Sequence, residues 1–326
     1  MRLDIAGAWS LIGWPGGFVS DGSWSGDDFG ARLRREAMAW LTIRTNDGLD
    51  PISRQDLLDF TIDGKMFRLM DPTRGIRKPK ELSSALSIST TYRAPGTRRP
   101  YEDQVGSDGL LRYKWSTTDP KNMDNRGLRA AMNEGVPLIW FYGVGPSLFQ
   151  PIYPVFIVAE EPDEHQFVVA TEVARDLHRP DSQAEEQLRR YVVAETKRRL
   201  HQPVFRATVM RAYETRCAVC ALGHSELLDA AHIVPDSHEA GISSVTNGLA
   251  LCKIHHAAYD VNILGITPDL VVEIRKDLLD EIDGPMLEHG LKERHGQKLM
   301  VVPPARNERP DRELLAISYE RFRSVG

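Results

Sequence analysis

Cys252-Lys253-Ile254-His255-His256-Ala257-Ala258-Tyr259-Asp260 decides how the second half of this chain folds. Residues 253–260 read as a helix, and the preceding Val245-Thr246-Asn247-Gly248-Leu249-Ala250-Leu251 as a turn and a short strand. Further upstream, Glu226-Leu227-Leu228-Asp229-Ala230-Ala231-His232-Ile233 reads as a second strand, so the stretch is a ββα hairpin carrying His232, Asn247 and His256. Residues four apart on a helix share a face, which lets His256 and Asp260 reach one cation. His232, at the end of its strand, can face that cation as a neutral imidazole and take a proton from water. Asn247 offers amide hydrogen bonds, more than an Asp or Ser could supply, to pin the loop between the strands.

The same stretch carries a second metal pattern. Cys217-x-x-Cys220 and Cys252-x-x-His255 are two ligand pairs whose two-residue gaps let both members point inward, as a tetrahedral structural zinc requires. All three cysteines of the chain fall inside it. The odd count, with no N-terminal secretory pattern, argues against disulfides and points to a reducing cytoplasm. Because His255 belongs with the cysteines, its neighbour His256, with Asp260, is left for a catalytic cation.

Residues 213–265 resemble the HNH, or ββα-metal, nucleases, in the branch with a zinc-bound knuckle around the active site. The motif residues are His232, Asn247 and His256. The resemblance implies that His232 is the general base that activates water. His256 and Asp260 would hold Mg²⁺ or Mn²⁺, polarising the scissile phosphate and stabilising the leaving oxygen. Many members carry an acidic residue or His just before the base, where this chain has Ala231. Asp229, two residues before it and on the same face of a strand, is the nearest substitute. Either it moves in as a ligand or the metal keeps an extra water.

Length and composition frame the site. A chain of 326 residues is too long for one small nuclease module and suits about two domains. Its 41% hydrophobic and 27% charged residues are ordinary for a globular protein, and no apolar run approaches the roughly 20 residues that span a bilayer. The formal charge of −5 opposes phosphate binding, but its distribution is uneven. From 71 to 100, Arg74, Arg77, Lys78, Lys80, Arg93, Arg98 and Arg99 face only Asp71 and Glu81, and a second basic stripe runs from 185 to 211.

Ahead of the nuclease stretch, a Gly-, Trp- and Ser-rich opening leads into a helix expected over 29–41. Short apolar runs follow at 66–70, 85–89, 110–115, 137–142 and 153–158, interrupted by a helix over 126–133. This is the pattern of a curved, mostly antiparallel sheet or barrel. Gly75-Ile76-Arg77-Lys78-Pro79, Ala85-Leu86-Ser87-Ile88, Tyr101-Glu102-Asp103, Gly109, Tyr113, Asn125-Arg126-Gly127-Leu128-Arg129-Ala130-Ala131-Met132 and Gly135-Val136-Pro137-Leu138 resemble the successive landmarks of the SRA domain. That family has a PUA-like barrel that flips a modified cytosine out of duplex DNA. The resemblance implies a base pocket from Tyr101, Asp103, Gln104, Tyr113, Lys114 and Trp115, with Arg77, Lys78, Arg93, Arg98 and Arg99 on the DNA backbone. A flipped base needs flat faces to stack on and polar groups for its pairing edge. Lys114 and Trp115-Ser116-Thr117-Thr118 depart from the family, which has a small hydroxyl residue and a glycine-rich segment there.

The expected fold class is therefore α+β. Residues 1–172 form an SRA/PUA-like β-barrel with an N-terminal extension, and 173–204 a helical linker ended by Pro203. Residues 205–326 are a zinc-containing HNH domain, with a tail holding helix-like pieces at 286–294 and 312–323. A base reader followed by a cutter implies a modification-dependent, type IV-like restriction endonuclease. It would act in phage defence on double-stranded DNA near 5-methyl- or 5-hydroxymethylcytosine, as a homodimer because one such site cuts one strand. The alternatives are an HNH nuclease that reads DNA sequence or shape without base flipping, and a non-catalytic zinc DNA-binding protein.

Overall fold

The computed structural model describes residues 29–92, 110–171, 202–235 and 244–325. Among the described residues, its front part is a seven-stranded mixed sheet. The strands are β1 (Ile52–Ser53), β4 (Ile76–Arg77), β5 (Ser87–Thr90), β6 (Leu111–Lys114), β7 (Leu138–Gly145), β8 (Leu148–Glu161) and β9 (Gln166–Thr171), while β2 (Thr61–Ile62) and β3 (Lys65–Met66) form a separate small hairpin. The order is β4-β5-β7-β8-β9-β6, with β1 also on β8; β5 and β7 run parallel and every other pairing is antiparallel.

Alternation along β7 builds two cores from one strand. Leu138 and Trp140 join Ile88, Tyr113, Val155 and Phe167 in a cluster that includes Leu128 and Ala131 of α2 (Met123–Glu134). Ile139 and Phe141 face the other way, onto Leu33, Ala37 and Leu41 of α1 (Phe29–Arg44). Each such fully buried aliphatic or aromatic side chain contributes about 1.5–3 kcal/mol relative to exposure. The sheet is thus a layer between two helices.

By backbone pairing the sheet is open among the described residues, where the sequence suggested a barrel. A side chain brings its two ends together. Tyr113 on β6 donates its hydroxyl to the carbonyl of Gly75, beside β4, at 2.9 Å and lies 3.2 Å from that of Ser89 on β5. The expected run at 66–70 pairs only over Lys65–Met66. Helix α2 begins earlier than expected because Asn122 caps it, its side chain accepting from the backbone N–H of Asp124 at 2.9 Å. It stops at Gly135, whose φ of 62° is the left-handed conformation that a C-cap glycine adopts without strain.

The back part is one core built on α3 (Gln202–Ala212), the hairpin β10 (Leu228–His232) and β11 (Gly248–Cys252), α4 (Lys253–Asp260) and the hairpin β12 (Leu264–Ile266) and β13 (Val272–Ile274). Beyond them lie α5 (Lys276–Leu279), α6 (Pro285–Gly290) and α7 (Arg312–Val325). Pro203 stands in the first turn of α3, where a missing N–H costs nothing. One expectation changes here. The piece expected at 286–294 is broken after Gly290 into α6 and a single 3₁₀ turn. The linker expected before residue 202 lies outside the described residues. No described helix is long and apolar enough to cross a membrane.

Candidate active site and metal centre

Cys217 and Cys220 occupy a tight turn after α3, closed by the Ala221 N–H on the Cys217 carbonyl at 2.9 Å. The Ala218 N–H bonds the Ala250 carbonyl at 2.7 Å and lashes this turn to β11. Cys252 ends β11 and caps α4, and His255 stands in the first turn of that helix. The four ligand atoms lie within 4.8 Å of one another. A tetrahedral zinc with Zn–S of about 2.3 Å needs sulfurs about 3.8 Å apart, so small movements complete the shell.

His255 is oriented from behind. A carbonyl can only accept, so the 2.8 Å contact of His255 Nε2 with the Gly290 carbonyl puts the proton on Nε2 and turns Nδ1 to the thiols, 3.1 Å from Cys252 Sγ. Burial opposes charge on this imidazole, yet hydrogen bonds with Cys217 and Cys252 outweigh it and raise its pKa to about 10. The neighbouring thiols push Cys217 up, and its bond to Cys217 draws Cys252 down. The sulfur charge thus gathers on Cys252, and Cys220, like Cys217, is pushed up; three sulfurs and one imidazole nitrogen are a donor set that suits a divalent soft-to-borderline cation such as zinc, which binds as these groups give up their protons.

The hairpin places the second set. Asn247 is fully buried; its side-chain oxygen accepts from the Val234 N–H and its amide donates to the Val234 carbonyl, both at 2.9 Å. The two ends of the loop between β10 and β11 are thereby tied together just past His232. His232 closes β10 opposite Gly248 and stacks on Phe205 of α3, ring centroids 3.9 Å apart.

His256 stands between two carboxylates. Its Nδ1 is 3.7 Å from Asp229 Oδ2 and its Nε2 is 3.4 Å from Asp260 Oδ2. The two ring nitrogens diverge, so one cation on His256 takes Asp260 or Asp229 as its partner but not both. Of the expected set, Asp260 and Asp229 thus both stand beside His256, on opposite edges of its ring. Ala231 is 1% exposed, so its side chain packs in the core instead of facing a metal. Asp229 already holds Lys253 Nζ at 2.7 Å. Burial would raise the pKa of Asp229, but Lys253 and His256 lower it on balance. Lys253 was not anticipated, although its place one turn before His256 on the same helix was readable. Phe205 could not have been paired with His232 from spacing.

The front-half candidates come together only in part. Tyr101, Asp103, Gln104, Arg93, Arg98 and Arg99 lie outside the described residues. Tyr113 is 7% exposed, edge-on to Trp140, and Trp115 is equally part of the core. Lys114 alternates to the opposite face and reaches the Glu164 carbonyl at 3.1 Å, so these three do not line one pocket. Arg77 and Lys78 are engaged within the fold, on the carbonyls of Arg68 and Leu82 at 3.2 and 2.9 Å.

Residues 217–267 match the family model described as HNH endonuclease. This segment is an HNH endonuclease domain. Two solved structures also align with the chain. One is described as "Modification dependent TagI restriction endonuclease", with 17% identity, a TM-score of 0.29, and coverage of 76% of this chain and 85% of that one. The other is described as "Structure of the Type IV phosphorothioation-dependent restriction endonuclease ScoMcrA", with 13% identity, a TM-score of 0.20, and coverage of 78% and 52%. Neither likeness is close enough to carry fold or function. No curated protein matches the chain. The HNH domain makes this chain an endonuclease, and it contains the Cys₃His group, His232, Asn247, His256 and Asp260.

Proposed function

We propose that the chain is a modification-dependent restriction endonuclease that hydrolyses double-stranded DNA beside a 5-methyl- or 5-hydroxymethylcytosine. The observation that carries the nuclease chemistry is the joint placement of His232 and His256 on one hairpin and helix, buttressed by a Cys₃His group that fits zinc. His256, with Asp260 or with Asp229, would hold a divalent cation. When bound, Mg²⁺ or Mn²⁺ supplies a Lewis acid at the scissile phosphate. His232, as a neutral imidazole, takes the proton of the attacking water; the new P–O bond forms as the bond to the leaving oxygen breaks. Asn247 acts at a distance, keeping the residues just after His232 in place.

The modification reading rests on the order of sequence landmarks from Gly75 to Leu138. A homodimer would supply a second site for the second strand, and the activity would serve phage defence. A second reading, an HNH nuclease that reads DNA without flipping a base, is favoured by one observation: Tyr113 is committed to the core, its hydroxyl bonded to backbone. The test is cleavage in Mg²⁺ of otherwise identical duplexes carrying cytosine, 5-methylcytosine or 5-hydroxymethylcytosine. Faster cutting of a modified duplex supports the first reading, and equal rates on all three sink it. No metal-dependent cutting of any DNA would leave a zinc DNA-binding protein.

A further inference from the structure

The imidazole of His232 lies flat against Phe205, with ring centroids 3.9 Å apart and planes within 7° of parallel. Phe205 is 4% exposed, so this face is covered and fixed by the core. The close approach is built into the hairpin. Gly248 stands directly opposite His232, and a Cβ there would come within 2.3 Å of Val209 Cγ2 and 3.1 Å of Phe205 Cζ. Only glycine lets α3 come so near.

The helix that carries Phe205 is gripped at both ends. Arg206 donates to the carbonyls of Ser225 and Leu228, at the entry to β10, at 3.1 and 3.2 Å, and to that of Leu49 in the front half at 3.0 Å. Arg211 pairs with Glu308, which also accepts from the Tyr92 hydroxyl at 3.3 Å. The mount of the ring thus draws on the strand of His232 and on the front half together.

We propose that Phe205 is a positioning residue for His232, its face fixing the plane of the imidazole so that a ring nitrogen is aimed at the attacking water. The proposal rests on the reading of His232 as the base. The second side-chain torsion of a histidine is broad, and a flat face lying against the ring narrows it. A displacement of about 1 Å in a reacting group can cost about 100-fold in rate.

The test compares full-length, zinc-loaded wild type with Phe205→Leu and Phe205→Met, which keep apolar volume but offer no flat face. On a duplex that wild type cuts in Mg²⁺, kcat should fall by about 10- to 100-fold while KM stays within about twofold. Independently of activity, the His232 ring-proton resonances, shifted upfield by the Phe205 ring, should move downfield in both variants. If Phe205→Leu does not fold, as judged by zinc content, the flexible Met variant supplies the result. Wild-type kcat in a folded variant, or unmoved His232 resonances, would overturn the proposal. His232→Ala in the same assay keeps the two questions apart. If it cuts at the wild-type rate, the reading of His232 fails; if it is inactive while the Leu and Met variants are normal, the role of Phe205 alone fails.

Discussion

Replacing Asn247 with alanine removes one side chain and strands two backbone groups. The amide holds the Val234 N–H and carbonyl at 2.9 Å each, and both residues are essentially inaccessible, Asn247 at 0% and Val234 at 1% exposure. A buried polar group left without a partner costs about 1–3 kcal/mol, so the pair amounts to roughly 2–6 kcal/mol. A central value of about 4 kcal/mol is close to a thousandfold in the folding equilibrium of the HNH part. Asn247→Asp sharpens the argument. It keeps an acceptor for the Val234 N–H but sets a carboxylate oxygen against the Val234 carbonyl, and should destabilise at least as much. All six tryptophans lie in the front half, so their fluorescence is the wrong probe. Zinc release to a chelating dye during urea unfolding follows the relevant half. Midpoints for both variants that correspond to less than about 0.5 kcal/mol would refute the assignment of Asn247 as the loop's tie.

Three further outcomes follow from the geometry. Metal analysis should find one tightly held zinc per chain, and Cys220→Ala should abolish it and leave the HNH part unfolded, because structural zinc contributes about 10–16 kcal/mol to such folds. Tyr113→Phe should lower thermal stability by about 1 kcal/mol through the lost hydroxyl contact to the Gly75 carbonyl, and leave any preference among modified duplexes unchanged. Acid should also act on the front half. Burial would raise the pKa of Asp71, but hydrogen bonds from the Thr73 and Arg74 N–H groups and the Arg74 guanidinium hold it at about 2. A carboxyl whose pKa is depressed by folding stabilises above its unfolded value, about 3.9, and loses that contribution as pH falls toward 2. Asp71→Asn should flatten this part of the stability–pH curve.

The HNH half was legible because its signals are local. Cys252 and His255 are three residues apart, His256 and Asp260 four, and α4 spans Lys253–Asp260 as the helical spacing predicts. What spacing could not reveal is which of two carboxylates a ring nitrogen faces, since Asp229 reaches His256 from strand β10. The stacking of Phe205 on His232 was equally hidden, because it depends on how closely α3 approaches Gly248. In the front half, the alternating apolar runs located the strands, but the same runs suit an open sheet or a barrel. Pairing partners, not apolar runs, distinguish these, and among the described residues a tyrosine hydroxyl links the sheet's two ends. Tyr113 shows the limit well: an aromatic at strand spacing reads the same whether it stacks on a base or fills a core.

The most direct test of the central claim is the rate of Mg²⁺-dependent duplex cleavage by His232→Ala beside wild type, with zinc content and unfolding midpoint measured on the same preparations. The account predicts a folded, zinc-loaded variant that has lost cleavage by at least about 100-fold, as removal of a general base requires. Cleavage by that variant at the wild-type rate would contradict it.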